Sequence, residues 1–122
     1  DMIVLPGGLP GADHLDADPR IHALLQRMAE QERYTAAICA APKVLLNAGL
    51  LDGRRATAYP GIIDGLMTEN SQLLADAVVT DGKVVTSRGP GTAMDFALTL
   101  IEQLLGAAKR EEVETPLMRA EG

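Results

Sequence analysis

The sequence has little cysteine and few aromatic residues, and both shortages limit the kinds of protein and of core that it can form. Cys39 is the only cysteine, so an internal disulfide is excluded and a reducing, cytoplasmic setting is the default expectation. Aromatics make up 2% of the chain, so Ala, Val, Ile, Leu and Met must fill the core, as in tightly packed α/β layers. No apolar run approaches the roughly 20 residues that span a bilayer, and no signal peptide is visible.

Basic residues are outnumbered by acidic ones. Lys and Arg total 11 against 17 Asp and Glu, which gives a net charge of -6. This balance argues against nucleic acid or anionic lipid held by a general basic patch. The 122 residues suit one domain. The chain runs from Asp1 straight into MIVLP, which reads as an interior parallel strand, so we expect an upstream segment to have been removed or to be carried elsewhere.

The first half of the chain alternates between strand and helix patterns. Residues 2–5 predict a strand, the PGGLPGA stretch a loop, and Asp18 the N-cap of a helix that ends near Glu32. A second strand is predicted over Thr35–Cys39 and a second helix over Pro42–Ala48. The apolar positions of the first helix are Ile21, Leu24, Leu25 and Met28. This rhythm is typical of a parallel sheet covered on both faces.

The second half adds a hairpin and a long helix. ATAYPG predicts a third strand that stops at Pro60, and Asp81 with Gly82 predicts the turn of an antiparallel hairpin in AVVTDGKVVT. Thr92 is expected to cap the last helix, with Asp95 as its capping-box partner. The predicted apolar stripe of that helix is Met94, Ala97, Leu98, Ile101, Leu104 and Leu105. The pattern as a whole predicts an α/β fold whose sheet is mostly parallel.

Cys39 falls between a strand and a helix, where a side chain is pushed out of the sheet. Ala40 and Ala41 allow a sharp turn, which is the logic of a nucleophile elbow. The helix that begins near Pro42 points its positive end at the sulfur and favours the thiolate. The backbone N–H groups of Gly8 and Ala40 could hold an oxyanion. The alternative, a small buried filler, fits the neighbouring alanines but not this position.

Other candidate groups carry less weight. His14 in an acidic loop and His22 on the polar side of a helix are expected to be solvated, so neither is the base for Cys39. Tyr59 would share the sheet edge of Cys39 and could offer its hydroxyl to a ligand, although packing is the more common role of such a residue. The SRGPGT stretch at 87–92 raises the question of a phosphate loop, but it lacks the Lys-Ser/Thr ending of one.

Three segments, DMIVLPGGLPGA, AAICAAPKVLL and TSRGPGTAMDFAL, together resemble the signatures of the ThiJ/PfpI superfamily, in its Parkinson-associated protein deglycase branch. The resemblance implies a flavodoxin-like, class I glutamine amidotransferase-like sandwich that usually forms homodimers. It implies that Cys39 is the reactive cysteine and that Gly8 and Ala40 supply anion-binding amides. The pocket residues it implies are Gly7, Tyr59, Gly89, Pro90 and Gly91.

The chain departs from that family pattern in two places. Members of the branch carry a Glu that shares a proton with the cysteine, and its segment would precede Asp1. Residues 1–122 are therefore interpreted as one ThiJ/PfpI-like domain, the C-terminal part of the fold, whose N-terminal strands are lost or come from a companion polypeptide. Where several relatives have His, this sequence has Tyr59, which disfavours a cysteine-protease dyad.

The resemblance implies a cysteine-dependent enzyme for reactive aldehydes, without a metal or an organic cofactor. The activity would be that of a glutathione-independent glyoxalase, or of a deglycase on methylglyoxal adducts. A different class stays open, in which oxidation of Cys39 to a sulfinate makes the protein a redox sensor or a chaperone in stress. Peptidase or amidotransferase chemistry is a third, weaker alternative because the chain offers no well-placed histidine.

Overall fold

The computed structural model describes residues 2–67 and 70–119. Its strands are β1 (Met2–Leu5), β2 (Tyr34–Ile38), β3 (Arg55–Ala56), β4 (Gln72–Leu73), β5 (Val78–Asp81) and β6 (Val84–Ser87). Its α-helices are α1 (Gly11–Asp16), α2 (Pro19–Glu30), α3 (Pro42–Asn47), α4 (Ala93–Leu105) and α5 (Ala107–Glu114). None of the helices in these two ranges is both long and apolar enough to cross a bilayer.

The main sheet has the strand order β1-β2-β6-β5. The strands β1, β2 and β6 run parallel, with Val4 opposite Ala36 and Ala36 opposite Val85. The strand β5 returns antiparallel to β6, which confirms the hairpin. Asp81 pairs with Val84. The turn is therefore formed by Gly82 and Lys83, one residue later than predicted, and Gly82 takes the left-handed φ of 61° that glycine tolerates.

Helices cover both faces of this sheet, because successive residues of a strand point to opposite sides. On one face Ala37 packs with residues of α2 and α3, including Leu25 and Leu45. On the other face the next residue back, Ala36, packs with Val85 and with Phe96 of α4. Each fully buried Leu contributes about 1.5–3 kcal/mol to folding. This arrangement confirms the predicted flavodoxin-like, three-layer α/β sandwich.

The helix α2 starts where the sequence predicts. Asp18 is the N-cap, its carboxylate accepts the backbone N–H of Arg20 at 2.9 Å, and Pro19 takes the first helical position. The Arg20 guanidinium also donates to Asp18, and this hydrogen bond lowers the pKa of the carboxyl from 3.8 to about 2. The helix ends at Glu30, two residues before the predicted end at Glu32.

The predicted third strand is wrong in length and in place. In this region only Arg55 and Ala56 are in a strand, which is β3, and β3 pairs with β4 outside the main sheet. The backbone N–H groups beyond it have other partners: that of Thr57 donates to Thr86 Oγ1 at 2.9 Å, and that of Tyr59 donates to the carbonyl oxygen of Cys39 at 2.9 Å. Because those donors are already occupied, no strand ladder continues toward Pro60.

Two further predictions need correction at the helices. The stretch predicted as a loop after Gly8 contains α1, so His14 is exposed on a helix. The inward face of α4 is not the predicted stripe. Phe96 and Leu100 pack on the sheet, and Gln103 accepts a hydrogen bond from Tyr34. These positions follow i, i+4 and i+7 on a neighbouring face. Of the predicted stripe, Leu98 is buried, while Met94, Leu104 and Leu105 are exposed.

Candidate active site around Cys39

Cys39 follows the last residue of β2 and has a left-handed backbone, with φ at 64°. This conformation costs a residue other than glycine roughly 1–2 kcal/mol, so its surroundings must hold it in place. They do so from two sides. The Cys39 N–H donates to the carbonyl of Ser87 at the end of β6, at 3.0 Å, and the Cys39 carbonyl accepts from the Tyr59 N–H at 2.9 Å.

Gly7 lies directly against this bend. A Cβ at position 7 would be 2.6 Å from Cys39 Cβ and 2.8 Å from the carbonyl oxygen of Ile38. Both atoms belong to rigid parts of the site, so no larger residue fits without a shift of the backbone. The next residue, Gly8, has a φ of 94°, which a side chain would strain. The Gly-Gly pair therefore brings the loop after β1 onto the cysteine.

Cys39 opens into a cleft of ≈ 210 Å³ that is lined by Gly8, Leu9, Cys39, Ala40, Tyr59 and Ile62. The thiol is free and half-buried. Apart from the sulfur and the Tyr59 hydroxyl, the side chains of this lining are apolar. In the described part of the chain, the lining includes no carboxylate and no imidazole. Nor do residues 2–67 and 70–119 contain a group of three or more His, Cys, Asp or Glu that could hold a metal ion.

The structure brings together most of the residues singled out from the sequence. Gly7, Gly8, Ala40 and Tyr59 all lie at Cys39. A Cβ built on Gly89 would be 3.3 Å from the Tyr59 ring, so the predicted Gly-rich turn backs the tyrosine and does not line this cleft. Pro90 and Gly91 continue that turn and are exposed.

Sequence reasoning missed two apolar walls of the cleft, Leu9 and Ile62. The position of Leu9 directly after the Gly-Gly pair was an available signal. Ile62 lies in the irregular segment after β3, where no periodicity marks its direction.

A hydroxyl network behind the cysteine was also missed. Thr92 stands at the predicted N-cap position of α4, but its side chain makes no capping hydrogen bond there; its Oγ1 accepts the Gly89 N–H at 3.1 Å and donates to the Gly89 carbonyl oxygen at 2.8 Å. The predicted capping box with Asp95 is therefore wrong. The Ser87 and Thr92 hydroxyls lie 2.7 Å apart, and Ser87 Oγ donates to Ala77 O at 2.8 Å. The network fixes the position of Ser87, whose backbone carbonyl accepts the hydrogen bond from the Cys39 N–H.

The histidines stand apart from the cleft, as expected, but His22 is not a solvated side chain. It is half-buried, and its Nε2 lies 2.7 Å from the Asp16 carbonyl oxygen and 3.0 Å from Asp16 Oδ1. Asn47 donates to the same carboxylate at 2.7 Å, which joins α1, α2 and α3. Lys43 adds an ion pair with Asp13 at 2.9 Å, and this hydrogen bond raises the pKa of the lysine. These contacts anchor α1 and the glycine loop before it.

Residues 1–103 match the model of the DJ-1/PfpI family. The chain belongs to the DJ-1/PfpI family. Its sequence is 43% identical to Protein DJ-1 homolog A of Arabidopsis thaliana, over 97% of this chain and 30% of that protein. It is 38% identical to the protein named glutathione-independent glyoxalase DJR-1.2 of Caenorhabditis elegans, over 98% of this chain and 63% of the worm protein. This DJ-1/PfpI chain therefore spans less than two thirds of the length of both relatives.

Solved structures of the DJ-1/PfpI family give the same relationship. The Drosophila melanogaster DJ-1beta structure superposes with a TM-score of 0.90 at 40% identity, over 98% of this chain and 64% of that one. A Toxoplasma gondii DJ-1 structure described as oxidized gives a TM-score of 0.90 at 36% identity, over 98% of this chain and 65% of that one. The identities lie well above the range in which a match shows the fold alone.

Proposed function

We propose that this protein is a cysteine-dependent enzyme that acts on reactive aldehydes in carbonyl or oxidative stress, as a glutathione-independent glyoxalase or a protein deglycase. The observation that carries the proposal is the single cysteine held at φ 64° on the wall of a small cleft. A half-buried free thiol in such a position can meet a small electrophile. The relative named as a glutathione-independent glyoxalase supports the same chemistry.

The reaction would begin with addition of the Cys39 thiolate to the aldehyde carbon of methylglyoxal. A carbon–sulfur bond forms, and the carbonyl π electrons move to oxygen, where the N–H groups of Gly8 and Ala40 would hold the charge. The oxyanion takes up a proton, and a base then removes the C1 proton, whose electron pair forms the C1–C2 double bond of an enediolate. Return of that proton to C2 and movement of the C1 hydroxyl proton to the C2 oxygen re-form a carbonyl at C1, which gives a thioester of lactate. Water adds to the thioester, lactate leaves, and the thiol is regenerated. No metal or organic cofactor takes part in these steps.

The proton transfer requires a base that the described lining of the cleft does not supply. We infer that a carboxyl group from an N-terminal part of the fold, on the same or a companion polypeptide, performs it. Two features of β1 support this: among the described residues it is the end strand of the sheet although its composition is that of an interior strand, and its Val4 side chain is 44% exposed on the sheet face. Intact-mass measurement of every species in the purified sample would reveal a companion peptide. A preparation that contains only this chain and still converts methylglyoxal to lactate would contradict the need for the added carboxyl group.

Lactate production from methylglyoxal tests the proposal directly. Cys39→Ala should lower the rate at least about a hundredfold, because it removes the nucleophile itself. Lys109→Ala, which changes an exposed lysine on α5, is the matched control and should keep the wild-type rate. Equal rates for wild type and Cys39→Ala would remove Cys39 from the mechanism.

A redox-sensing or chaperone function is the second candidate, favoured by the relative whose structure is described as oxidized. Two equivalents of peroxide would convert the Cys39 thiolate first to a sulfenate and then to a sulfinate, with one water released at each step. Intact-mass analysis after mild peroxide should show two added oxygens on Cys39. An unreactive thiol would contradict both candidate functions.

The oligomeric state and the cellular location are also proposed from the family resemblance and the single thiol. We expect a homodimer, which sedimentation velocity at two protein concentrations would detect, and a cytoplasmic, reducing location that keeps the lone thiol free. Peptidase or amidotransferase chemistry is less favoured, because no imidazole lies among the described residues that line the cleft.

A further inference from the structure

A second and larger cleft lies at the opposite end of the sheet from Cys39. Its volume is ≈ 650 Å³, and its lining includes Thr35 and Val84, which stand near the starts of β2 and β6. Cys39, by contrast, follows the end of β2. The two clefts are therefore separated by the length of these strands, and nothing proposed for Cys39 involves the second one.

The lining of this second cleft is basic. It contains Arg33, Arg54 and Lys83, against one carboxylate, Glu32. The chain as a whole has a net charge of -6, so this local excess of cations is opposite in sign to the average charge of the molecule. Long-range repulsion by the chain would weaken anion binding, so only a concentrated cluster of cations at short range can overcome it.

The hairpin turn fixes the position of Arg54. Its Nη1 donates to the carbonyl oxygen of Asp81 at 2.9 Å and lies 3.7 Å from the carboxylate of the same residue. A Cβ at Gly82 would be 2.8 Å from this nitrogen, so the guanidinium rests in space that only a glycine leaves open. Asp81 offsets part of the charge, but the guanidinium has five N–H donors and keeps others for a ligand.

The other two cations are not neutralised. The Lys83 ammonium lies 4.2 Å from the centre of the Tyr34 ring, a contact that orients it while leaving its charge intact. Arg33 is exposed. Within residues 2–67 and 70–119, neither side chain forms an ion pair with a carboxylate. The cleft thus presents two free cations beside one that is held in place.

We propose that this cleft binds a small polyphosphate anion. Guanidinium groups bind phosphate oxygens with two parallel hydrogen bonds, and a lysine adds a point charge. The cleft is far larger than one phosphate group and all three cations line it, so a chain of two or three phosphates fits it better than a single phosphate does. The same phosphate chemistry is recognised in a free polyphosphate chain and in one attached to a nucleoside.

Isothermal titration of the purified protein with tripolyphosphate, and separately with ATP, tests the proposal. The test variant is Arg33→Gln combined with Lys83→Gln, both at exposed positions. The control combines Arg20→Gln with Lys109→Gln, which removes the same charge from exposed cations outside the cleft. Melting temperatures of both double variants verify that they are folded, and Cys39→Ala, whose binding should equal that of wild type, separates this proposal from the aldehyde chemistry.

Tripolyphosphate should bind in a one-to-one ratio and more weakly as salt is added. The Arg33 and Lys83 double variant should bind about tenfold more weakly or worse, while the control double variant should stay near wild type. Tighter binding of ATP than of tripolyphosphate would identify a nucleoside polyphosphate, and equal binding would identify the phosphate chain alone. Absence of saturable binding, or equal weakening in the two double variants, would overturn the proposal.

Discussion

The two ends of the sheet hold their groups in different ways. At the carboxyl end, backbone atoms position Cys39: an added Cβ on Gly7 meets Cys39 Cβ at 2.6 Å and a backbone oxygen at 2.8 Å. At the amino end, long side chains build the cleft, and an added Cβ on Gly82 meets only the Arg54 guanidinium, with Nη1 at 2.8 Å and Cζ at 3.8 Å. The comparison teaches that the cysteine end is rigid and intolerant of change, whereas the basic end can adjust by moving a side chain.

Gly7→Ala should have the largest effect, since it breaks the rigid end directly. We expect a loss of about 3 kcal/mol in the free energy of unfolding, the upper part of the range for overpacking, measured by urea denaturation. The rate of Cys39 alkylation should change as well. Gly11→Ala is the control, because a Cβ there meets nothing within 4 Å. Equal stability for the two variants would show that the carboxyl end is not rigid.

Thr92→Val should rank second. It keeps the shape of the side chain but removes the hydroxyl that contacts Ser87 and Gly89, which leaves polar groups at the turn without this partner. We expect a loss of about 2 kcal/mol and a changed alkylation rate at Cys39. Thr92→Ser retains the hydroxyl and should recover most of both quantities. If Ser and Val behave alike, the hydroxyl network does not position the cysteine.

Gly82→Ala sharpens the comparison at the basic end. The left-handed φ of 61° should cost roughly 1 kcal/mol, and Arg54 should swing away with little further loss of stability. Gly53→Ala is the matched control, with a φ of 73° and nothing within 4 Å of the added Cβ. The two losses should agree within about 0.5 kcal/mol, while only Gly82→Ala weakens tripolyphosphate binding. A loss at Gly82 as large as that at Gly7 would contradict an adjustable amino end.

Asp18→Asn should have the smallest effect on stability, because Asp18 is the N-cap that precedes α2 and lies outside both clefts. The folded-state pKa of Asp18 is lowered from 3.8 to about 2 by Arg20, so its ionised form favours the native state above pH 4. That contribution disappears as the pH falls from about 4 to about 2. When the free energy of unfolding is measured against pH, the variant should lose less stability between about pH 4 and about pH 2 than the wild type does. An equal loss in the two proteins would show that the carboxylate is not bonded to Arg20 in solution.

Local patterns predicted the parts of the fold that are determined locally. The strands β1 and β2, the Asp18 cap and the hairpin follow from alternation and turn chemistry over a few residues. The strand β3 could not be predicted in full, because the backbone donors of Thr57 and Tyr59 bind residues far away in sequence. The inward face of α4 was misjudged for a related reason: its many apolar residues allow several stripes, and contact with the sheet selects the one through Phe96.

The candidate site shows the same division. The bend at Cys39 and the close approach of Gly7 and Gly8 could be anticipated from small residues at strand ends. The role of Thr92 could not, because its hydroxyl had two sets of partners available, the helix terminus and the Gly89 turn with Ser87. Only the folded position of β6 decides between them.

Alkylation of Cys39 by iodoacetamide tests the central claim most directly, because the chain has a single thiol to follow. The reference is the isolated peptide of residues 35–46, which has the same neighbours but no fold. At neutral pH the folded protein should react about tenfold faster than the peptide, since the bend holds the half-buried sulfur on the wall of the cleft, beside the backbone N–H groups of Gly8 and Ala40. A folded protein that reacts no faster than the peptide would contradict the account.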